Sequence, residues 1–448
     1  MKRIITRALS LCLVLAVSVL LFAGCGGCGK KKEITVRYLN FKPEIAEKYK
    51  QLAEDYYKES GVRVIIDTAA SGTYEQTLAT KMSTSERPTI FQINGPIGYQ
   101  SWKDYCADLS TGKLYGIMND QTLALRGESD AVVGIPYVVE GYGILYNSAV
   151  TDKYFALQNR ATDFSSMDEI NSFEKLKALV EDMQARRSEL GIEGVFAATS
   201  LKSGEDWRWH THLFNVPLSR ELEEENVDLG SGRVEEILFS GEGEFRNLFD
   251  LYLHNSTVTP SMLGTKTVSD SMAEFALEKC AMVQNGNWAW EQIKSVTGNR
   301  VKAENLAFLP LYTGAKGEET QGLCIGTENY LAINSTVSRE EQKAAEEFLY
   351  WLFSSDTGKR YVSEEFGFIA PFNTFSEQEL SSDPLAREVI RYTKIEGVKS
   401  VPWSFTLFPS LAFKESFGAS LLRYAQGTKT WDSVVSEVVE SWKKESKS

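Results

Sequence analysis

Apolar and polar positions alternate along the chain in a way that predicts strands and helices in turn. Residues 33–39 alternate with the period of two that a half-buried strand shows, and residues 62–67 form a short apolar run. Between them, apolar residues recur at helical spacing over 44–60, after Pro43, and Gly61 ends the segment. A helix at 74–83 and a third strand at 89–93 follow. This order predicts a largely parallel sheet covered by helices.

The same alternation continues towards the C-terminus. Further extended segments are predicted at 135–139, 144–146, 194–199, 281–284, 306–311 and 329–333. Further helices are predicted at 172–187, 245–254, 269–278, 339–353, 411–424 and 430–444. The glutamate run at 221–225 and the glycine-rich segment at 230–243 are predicted to form an exposed loop insertion. We therefore expect an α/β protein of two lobes, and a cleft between two lobes is the default place for a ligand.

The N-terminus carries a targeting pattern. Three basic residues, Lys2, Arg3 and Arg7, precede an apolar run at 8–22, and Ala23-Gly24-Cys25 follows. This arrangement resembles the lipobox of bacterial lipoproteins, which predicts a signal peptide at 1–24, lipidation of Cys25 and a flexible tether at 25–32. An uncleaved anchor helix and an ordinary signal peptide are the alternatives.

Composition excludes several classes of function. Of the 448 residues, 48 are basic and 61 acidic, a net charge of −13, so we expect no nucleic-acid partner. No other segment is apolar for long enough to span a membrane. The cysteines of the folded body, Cys106, Cys280 and Cys324, form no C-x-x-C pair, and whether any two of them pair stays open.

Motifs for catalysis or for cofactors are not found. His210 and His212 would place two imidazoles on one face of a strand, but no third metal ligand stands at a fixed spacing. The chain has no G-x-S-x-G elbow and no phosphate-binding P-loop motif. We therefore predict no catalytic residue, no metal and no cofactor.

Aromatic residues are the better candidates for a binding site. Two pairs, Trp207 with Trp209 and Trp288 with Trp290, stand two residues apart, and Trp288 directly follows a predicted strand end. Indole rings stack well on the apolar face of a sugar ring. Glu140, in an apolar and aromatic segment, is suited to accept hydrogen bonds from sugar hydroxyls.

Two segments resemble a known family. Residues 134–147 read GIPYVVEGYGILYN, and residues 275–290 read FALEKCAMVQNGNWAW. Both are similar to segments of the family 1 extracellular solute-binding proteins, the sugar receptors of ABC importers, which include the maltodextrin-binding protein. The resemblance implies a type II periplasmic-binding-protein fold, whose two lobes close on the ligand by a hinge. It places lobe one at 33–138 and 313–373, and lobe two at 139–312 and 374–448.

The resemblance also implies roles for individual residues. Glu140 matches the acid that binds sugar hydroxyls, Trp288 matches the aromatic that stacks on a sugar ring, and Trp207 falls near another aromatic of the cleft. In lobe one, contact positions match Phe41, Lys42 and Asn94, with Ser71 as an extra contact. The remaining expected contacts are Tyr142, Trp290 and Trp403.

These observations predict a binding protein rather than an enzyme. We expect a monomeric lipoprotein on the extracytoplasmic face of the cell membrane, which binds a carbohydrate and delivers it to an ABC permease. A receptor of the same fold for a polyamine, peptide or other small solute is the main alternative, and a secreted glycosidase is a further one. The sugar, its chain length and the permease stay open.

Overall fold

A computed structural model describes residues 34–69, 73–227, 234–376, 379 and 381–447 of the chain. Within this part, the strands form two sheets, with the orders β2-β1-β3-β10-β5-β4 and β11-β9-β6-β7, and β8 also pairs with β6. The strands are β1 Thr35–Asn40, β2 Arg63–Thr68, β3 Ile90–Asn94, β4 Leu125–Arg126, β5 Val132–Pro136, β6 Glu140–Asn147, β7 Met282–Gly286, β8 Leu306–Leu309, β9 Gln321–Gly326, β10 Asn329–Ile333 and β11 Lys399–Val401. Each sheet is the centre of one lobe.

Helices cover both sheets. They are α1 Ala46–Ser60, α2 Tyr74–Met82, α3 Gly95–Trp102, α4 Lys113–Gly116, α5 Ser148–Phe155, α6 Phe173–Ala185, α7 Arg187–Leu190, α8 Phe214–Glu224, α9 Glu242–His254, α10 Val268–Ala276, α11 Ala289–Lys294, α12 Arg339–Ser354, α13 Asp356–Arg360, α14 Pro384–Thr393, α15 Leu411–Ala425 and α16 Trp431–Glu445. As expected, Gly61 ends α1 in the left-handed conformation, with φ 71°. The predicted α/β class is confirmed.

Parallel pairing in lobe one brings strand ends together. β1 runs parallel to both β2 and β3, with Val36 opposite Val64 and Tyr38 opposite Ile90. The carboxyl ends of β1 and β3 therefore lie at the same edge of the sheet, where ligands of open α/β sheets bind. In lobe two, β6 is central and pairs antiparallel with β7, β8 and β9.

Within the described residues, the chain crosses between the lobes three times. The first crossing lies between Pro136 and Glu140, and the second lies between Gly326 and Asn329. The third lies between Phe372, in the core of lobe one, and Leu385, in a core cluster of lobe two. The sequence placed the second crossing at 312/313. The structure moves it, because β9 pairs with β6 in lobe two before the chain returns.

Two predicted segments differ from the structure. The glutamate run, expected in an exposed loop, ends α8, and its first member Glu221 is only 4% exposed. Its carboxylate accepts hydrogen bonds from the backbone N–H groups of Leu238 and Ser240, at 2.6 and 2.7 Å. The segment 194–199, predicted as a strand, is extended but makes only isolated bridges, at Phe196. Side-chain oxygens of Gln184 and Glu274 accept from the N–H groups of Val195 and Ala198 in this segment.

No helix in the described part of the chain is both long and apolar enough to cross a membrane. The signal peptide, Cys25 and the tether lie outside the described residues. Cys106, Cys280 and Cys324 are free thiols in the structure, and burial raises the pKa of each above its ordinary value.

Candidate functional site

The carboxyl ends of the lobe-one strands carry three of the predicted contact residues. Phe41 and Lys42 directly follow β1, and Asn94 ends β3. The Phe41 ring packs edge-on against Tyr74, with 5.4 Å between ring centres. Gly95, after Asn94, has φ 60°, which favours glycine, and its Cα faces Thr406 of lobe two. These strand ends therefore lie against the second lobe.

An ion pair joins the lobes at this edge. Lys42 Nζ lies 2.5 Å from Glu140 Oε1, and both residues are 5% exposed. Although burial alone would lower the pKa of Lys42, the carboxylates of Glu140 and Glu44 raise it, so this amine is charged. A second pair, Lys48 Nζ to Glu291 Oε1 at 3.3 Å, links α1 to α11. The lobes therefore meet in a closed arrangement.

Aromatic side chains of lobe two form one continuous cluster, which we call the aromatic wall; only its Trp207 and Trp288 rings are partly exposed. His212 stacks on Tyr142, with ring centres 3.9 Å apart and planes 7° from parallel. The Trp207 and Trp288 rings lie 6.0 Å apart, and both contact His212. The wall consists of Tyr142, Trp207, His212, Trp288, Trp403 and Phe405.

A local irregularity of the backbone determines which histidine belongs to the wall. Residues Arg208–Leu213 form a π-helical segment before α8, so His210 and His212 do not share a strand face as the sequence predicted. His210 Nε2 lies 3.5 Å from Asp206 Oδ1, whereas His212 joins the wall. Burial keeps the pKa of His212 well below its ordinary value, so its ring is neutral. In the described residues, no group of three or more His, Cys, Asp and Glu side chains could hold a metal ion.

The Trp207 ring contacts a buried guanidinium, that of Arg208. The Arg208 guanidinium lies 4.0 Å from the centre of the Trp207 ring, and its Nη2 donates to Asn285 Oδ1 at 3.0 Å. Arg208 is 1% exposed, and its Nε and Nη1 donate to no group in the described structure. Burial lowers the pKa of Arg208 to about 9. A guanidinium at this distance makes a cation–π contact with the ring.

The structure brings most of the predicted contacts together. Glu140, Lys42 and Phe41 lie at the lobe junction, and Tyr142, Trp207, Trp288 and Trp403 lie in the wall. Asn94 ends β3, next to Gly95, which approaches Thr406 of lobe two. Trp290 does not join the wall. It follows Trp288 at the start of α11, where the helical turn directs it to a separate core cluster. Ser71 lies outside the described residues.

Sequence reasoning did not assign His212 to the cleft, and it missed Phe366, Phe368, Glu44, Glu291 and Asp383, which meet between the lobes. No local signal marked them, because they come from three separate parts of the chain, around Glu44, around Glu291 and between Phe366 and Asp383. The rings of Phe366 and Phe368 follow a second π-helical segment, Tyr361–Glu365, just before the third crossing.

Several solved structures share this fold at low sequence identity. A chitin oligosaccharide binding protein aligns with a TM-score of 0.69 and 15% identity, over 93% of this chain and 99% of its own. The binding protein RafE in complex with raffinose aligns with a TM-score of 0.69 and 17% identity, over 92% and 100%. A sugar transporter protein from Bacillus licheniformis, in complex with stachyose, gives 0.67 and 16%, over 92% and 100%. These likenesses establish the two-lobe solute-binding fold.

No curated protein sequence is significantly similar to this chain. A family model does match, however. Residues 51–388, three quarters of the chain, match the model described as bacterial extracellular solute-binding protein, a family of binding proteins rather than enzymes. The chain therefore belongs to the bacterial extracellular solute-binding protein family.

Proposed function

We propose that this protein is an extracytoplasmic receptor that binds a sugar or oligosaccharide in the interlobe cleft and delivers it to an ABC permease. The observation that carries the proposal is the aromatic wall of lobe two, which faces strand ends and a buried Lys42–Glu140 pair. Sugar rings present apolar C–H faces and a rim of hydroxyls. The aromatic rings of the wall are suited to stack on the C–H faces, and the charged pair is suited to hydrogen-bond the hydroxyls.

The binding mechanism follows from the chemistry of the two surfaces. Trp288 is half-buried and borders the lobe junction, so its ring is available to stack on a pyranose. The Glu140 carboxylate would accept hydrogen bonds from sugar hydroxyls, and the Lys42 ammonium would donate to them. Lobe closure would then exclude water, which strengthens each of these bonds.

The ligands of the fold relatives support the same class of solute. Two of those relatives were solved in complex with raffinose and stachyose, and the third is named as a chitin oligosaccharide binding protein. We further propose that Cys25 carries the lipid anchor and that the mature protein is a monomer that docks on its permease. Labelling of the wild type, but not of Cys25→Ser, by a radioactive fatty acid in the native host would test the anchor.

Ligand binding by the wall is tested with a matched pair of tryptophans. The body from Glu33 would be titrated calorimetrically with neutral α- and β-linked oligosaccharides. We expect Trp288→Ala to weaken binding of the active sugar by about 1–3 kcal/mol, from lost stacking and buried apolar area. Trp290→Ala is the control, because its ring packs away from the wall. Unchanged affinity in Trp288→Ala, or no binding of any sugar by the wild type, would contradict the proposal.

A further inference from the structure

A buried cation without a counter-ion lies beside the aromatic wall. Arg208 is 1% exposed, and its guanidinium carbon lies 4.0 Å from the centre of the Trp207 ring. Its Nη2 donates to Asn285 Oδ1 at 3.0 Å, whereas its Nε and Nη1 donate to no group in the described part of the chain. Most of the N–H donors of this guanidinium therefore have no acceptor.

No carboxylate of the described residues forms an ion pair with this cation. The charge of Glu205 acts on it from a distance, but the Glu205 carboxylate already accepts from a backbone N–H at the start of α10, at 2.7 Å. Asp206 Oδ1 lies 3.5 Å from His210 Nε2 instead. Burial lowers the pKa of Arg208 to about 9, although Tyr252 and Glu205 oppose that shift. Because a buried charge is stable only when it is paired, the site favours an anion.

A second buried side chain of the wall next to this cation also lacks a partner. His212 is 5% exposed, its ring centre lies 4.7 Å from that of Trp207, and its Nδ1 bonds to no group in the described residues. Burial, and then the Arg208 charge, keep the pKa of His212 well below its ordinary value, so the ring is neutral and one of its nitrogens can donate. Buried polar groups are nearly always hydrogen-bonded, so these two side chains indicate that a further group binds beside Trp207.

The guanidinium lies at the edge of lobe two that borders the cleft. Its partner Asn285 is the last residue but one of β7, and Asn287 and Trp288, directly after that strand, line a small cavity between the lobes. Trp207, whose ring lies against the guanidinium, is half-buried, and its ring centre is 6.0 Å from that of Trp288. A ligand that stacks on these two indoles therefore brings its substituents close to Arg208, and rotation of the partly exposed Trp207 ring would uncover the N–H groups.

We propose that Arg208 is a subsite for a carboxylate on the bound solute, which enters beside the Trp207 ring and takes the place of the missing counter-ion. The proposal rests on the proposed function and narrows it, since the preferred ligand is then an acidic sugar, a uronate. A planar carboxylate matches the N–H edge of a guanidinium and can accept two of its hydrogen bonds at once. A free anion from solution presents the same chemistry and is distinguished in the test.

The test compares ligands that differ in charge at one group. Oligosaccharides of galacturonate, glucuronate and mannuronate would be titrated calorimetrically at pH 7 against their methyl esters, with succinate as a carboxylate that has no sugar ring. We expect one uronate to bind at least about tenfold more tightly than its ester, the effect of a hydrogen bond to a charged group. Arg208→Leu should abolish that preference, and Arg208→Lys, which keeps the charge but not the planar N–H edge, should retain part of it.

The control variant is Arg246→Leu. Arg246 also belongs to lobe two and lies against an aromatic ring, that of Tyr424 at 5.8 Å, but its side chain is 48% exposed and pairs with Asp250. It should leave the preference intact, and circular dichroism and the melting temperature would verify that each variant folds. An Arg208→Leu protein that folds and binds the uronate and its ester equally would support the carboxylate subsite.

The outcomes separate the two proposals. Sugars that bind without a preference for the carboxylate would overturn the subsite and leave the sugar receptor standing. Succinate binding that Arg208→Leu weakens, with no binding of any sugar, would support the subsite and overturn the sugar function. No binding of any carboxylate probe by the wild type would overturn the subsite.

A free anion is detected by the melting temperature of the wild type and of Arg208→Leu with increasing sodium chloride, because an ion that binds only the native state stabilises it. Stabilisation of the wild type that Arg208→Leu lacks, without a preference for any uronate, would overturn the assignment to the solute. An equal response of both proteins to chloride, together with the uronate preference, supports it.

Discussion

Lys42 Nζ lies 2.5 Å from Glu140 Oε1, and the two residues belong to different lobes. Lys42 follows the first strand of lobe one, and Glu140 begins the central strand of lobe two just after the first crossing. Both are buried, each 5% exposed, where the two lobes meet. The pair therefore contributes to closure of the cleft more than to the folding of either lobe.

Removal of Lys42 should disturb closure. In Lys42→Met the Glu140 carboxylate would be buried without a partner in the closed form, at a cost of about 3–5 kcal/mol, whereas opening lets water reach it. We expect the compaction that ligand produces in small-angle X-ray scattering to be lost. The melting temperature without ligand should change little.

The double variant Lys42→Met/Glu140→Gln is the control for that experiment. It leaves no buried charge at the junction and should recover compaction in part. A large fall in the melting temperature of Lys42→Met, with compaction intact, would show instead that the pair stabilises the fold.

Asp383 should make stability depend on pH. Burial raises its pKa from 3.8 to about 7, so the folded protein binds a proton there that the unfolded chain has released. Stability is therefore lost as pH rises from about 4 to about 7. We expect Asp383→Asn to raise the melting temperature at pH 8 and to have no effect near pH 4, as measured by calorimetric scans. An equal change in melting temperature at both pH values would contradict the prediction that Asp383 titrates with a raised pKa.

Glu221 should be important for the stability of lobe two. Its carboxylate accepts three hydrogen bonds, from the Leu238 and Ser240 backbone and from Ser240 Oγ, at 2.6–2.9 Å. Glu221→Ala would leave buried N–H groups without acceptors, so we expect a loss of about 2–4 kcal/mol in the free energy of unfolding. Urea unfolding measures it, with exposed Glu223→Ala on the same helix as the control. Equal stability of the two variants would be the contrary result.

Arg208 should be dispensable for folding. Its buried guanidinium makes no ion pair with the described residues, so no counter-ion offsets the free energy of desolvating the charge. We expect Arg208→Leu to leave the melting temperature unchanged or to raise it, while weakening sugar binding through a less rigid Trp207 ring. Differential scanning fluorimetry and calorimetric titration would separate the two effects. A fall of more than about 3 kcal/mol in stability would mean that the cation has a counter-ion.

The sequence by itself determined the local elements and the chemical character of the cleft. The strand at Asn329–Ile333 falls where its apolar run predicts, α12 differs from its predicted bounds by one residue at its C-terminal end, and α16 differs by one residue at each end. Trp288 could be placed at a strand end because Asn285-Gly286-Asn287 is a turn pattern, which is information within a few residues.

Only the tertiary structure decided which residues meet. Glu44, Trp288 and the segment from Phe368 to Asp383 lie far apart in the chain, and only the packing of the two lobes brings them around one cavity. The same holds for Glu221, whose hydrogen-bond donors come from a loop after its helix, and for β9, whose pairing moved a lobe boundary. The periodicity of apolar residues predicts which residues share a face of one helix or strand. Burial and pairing between distant segments depend on packing of the whole chain, and no short-range pattern records them.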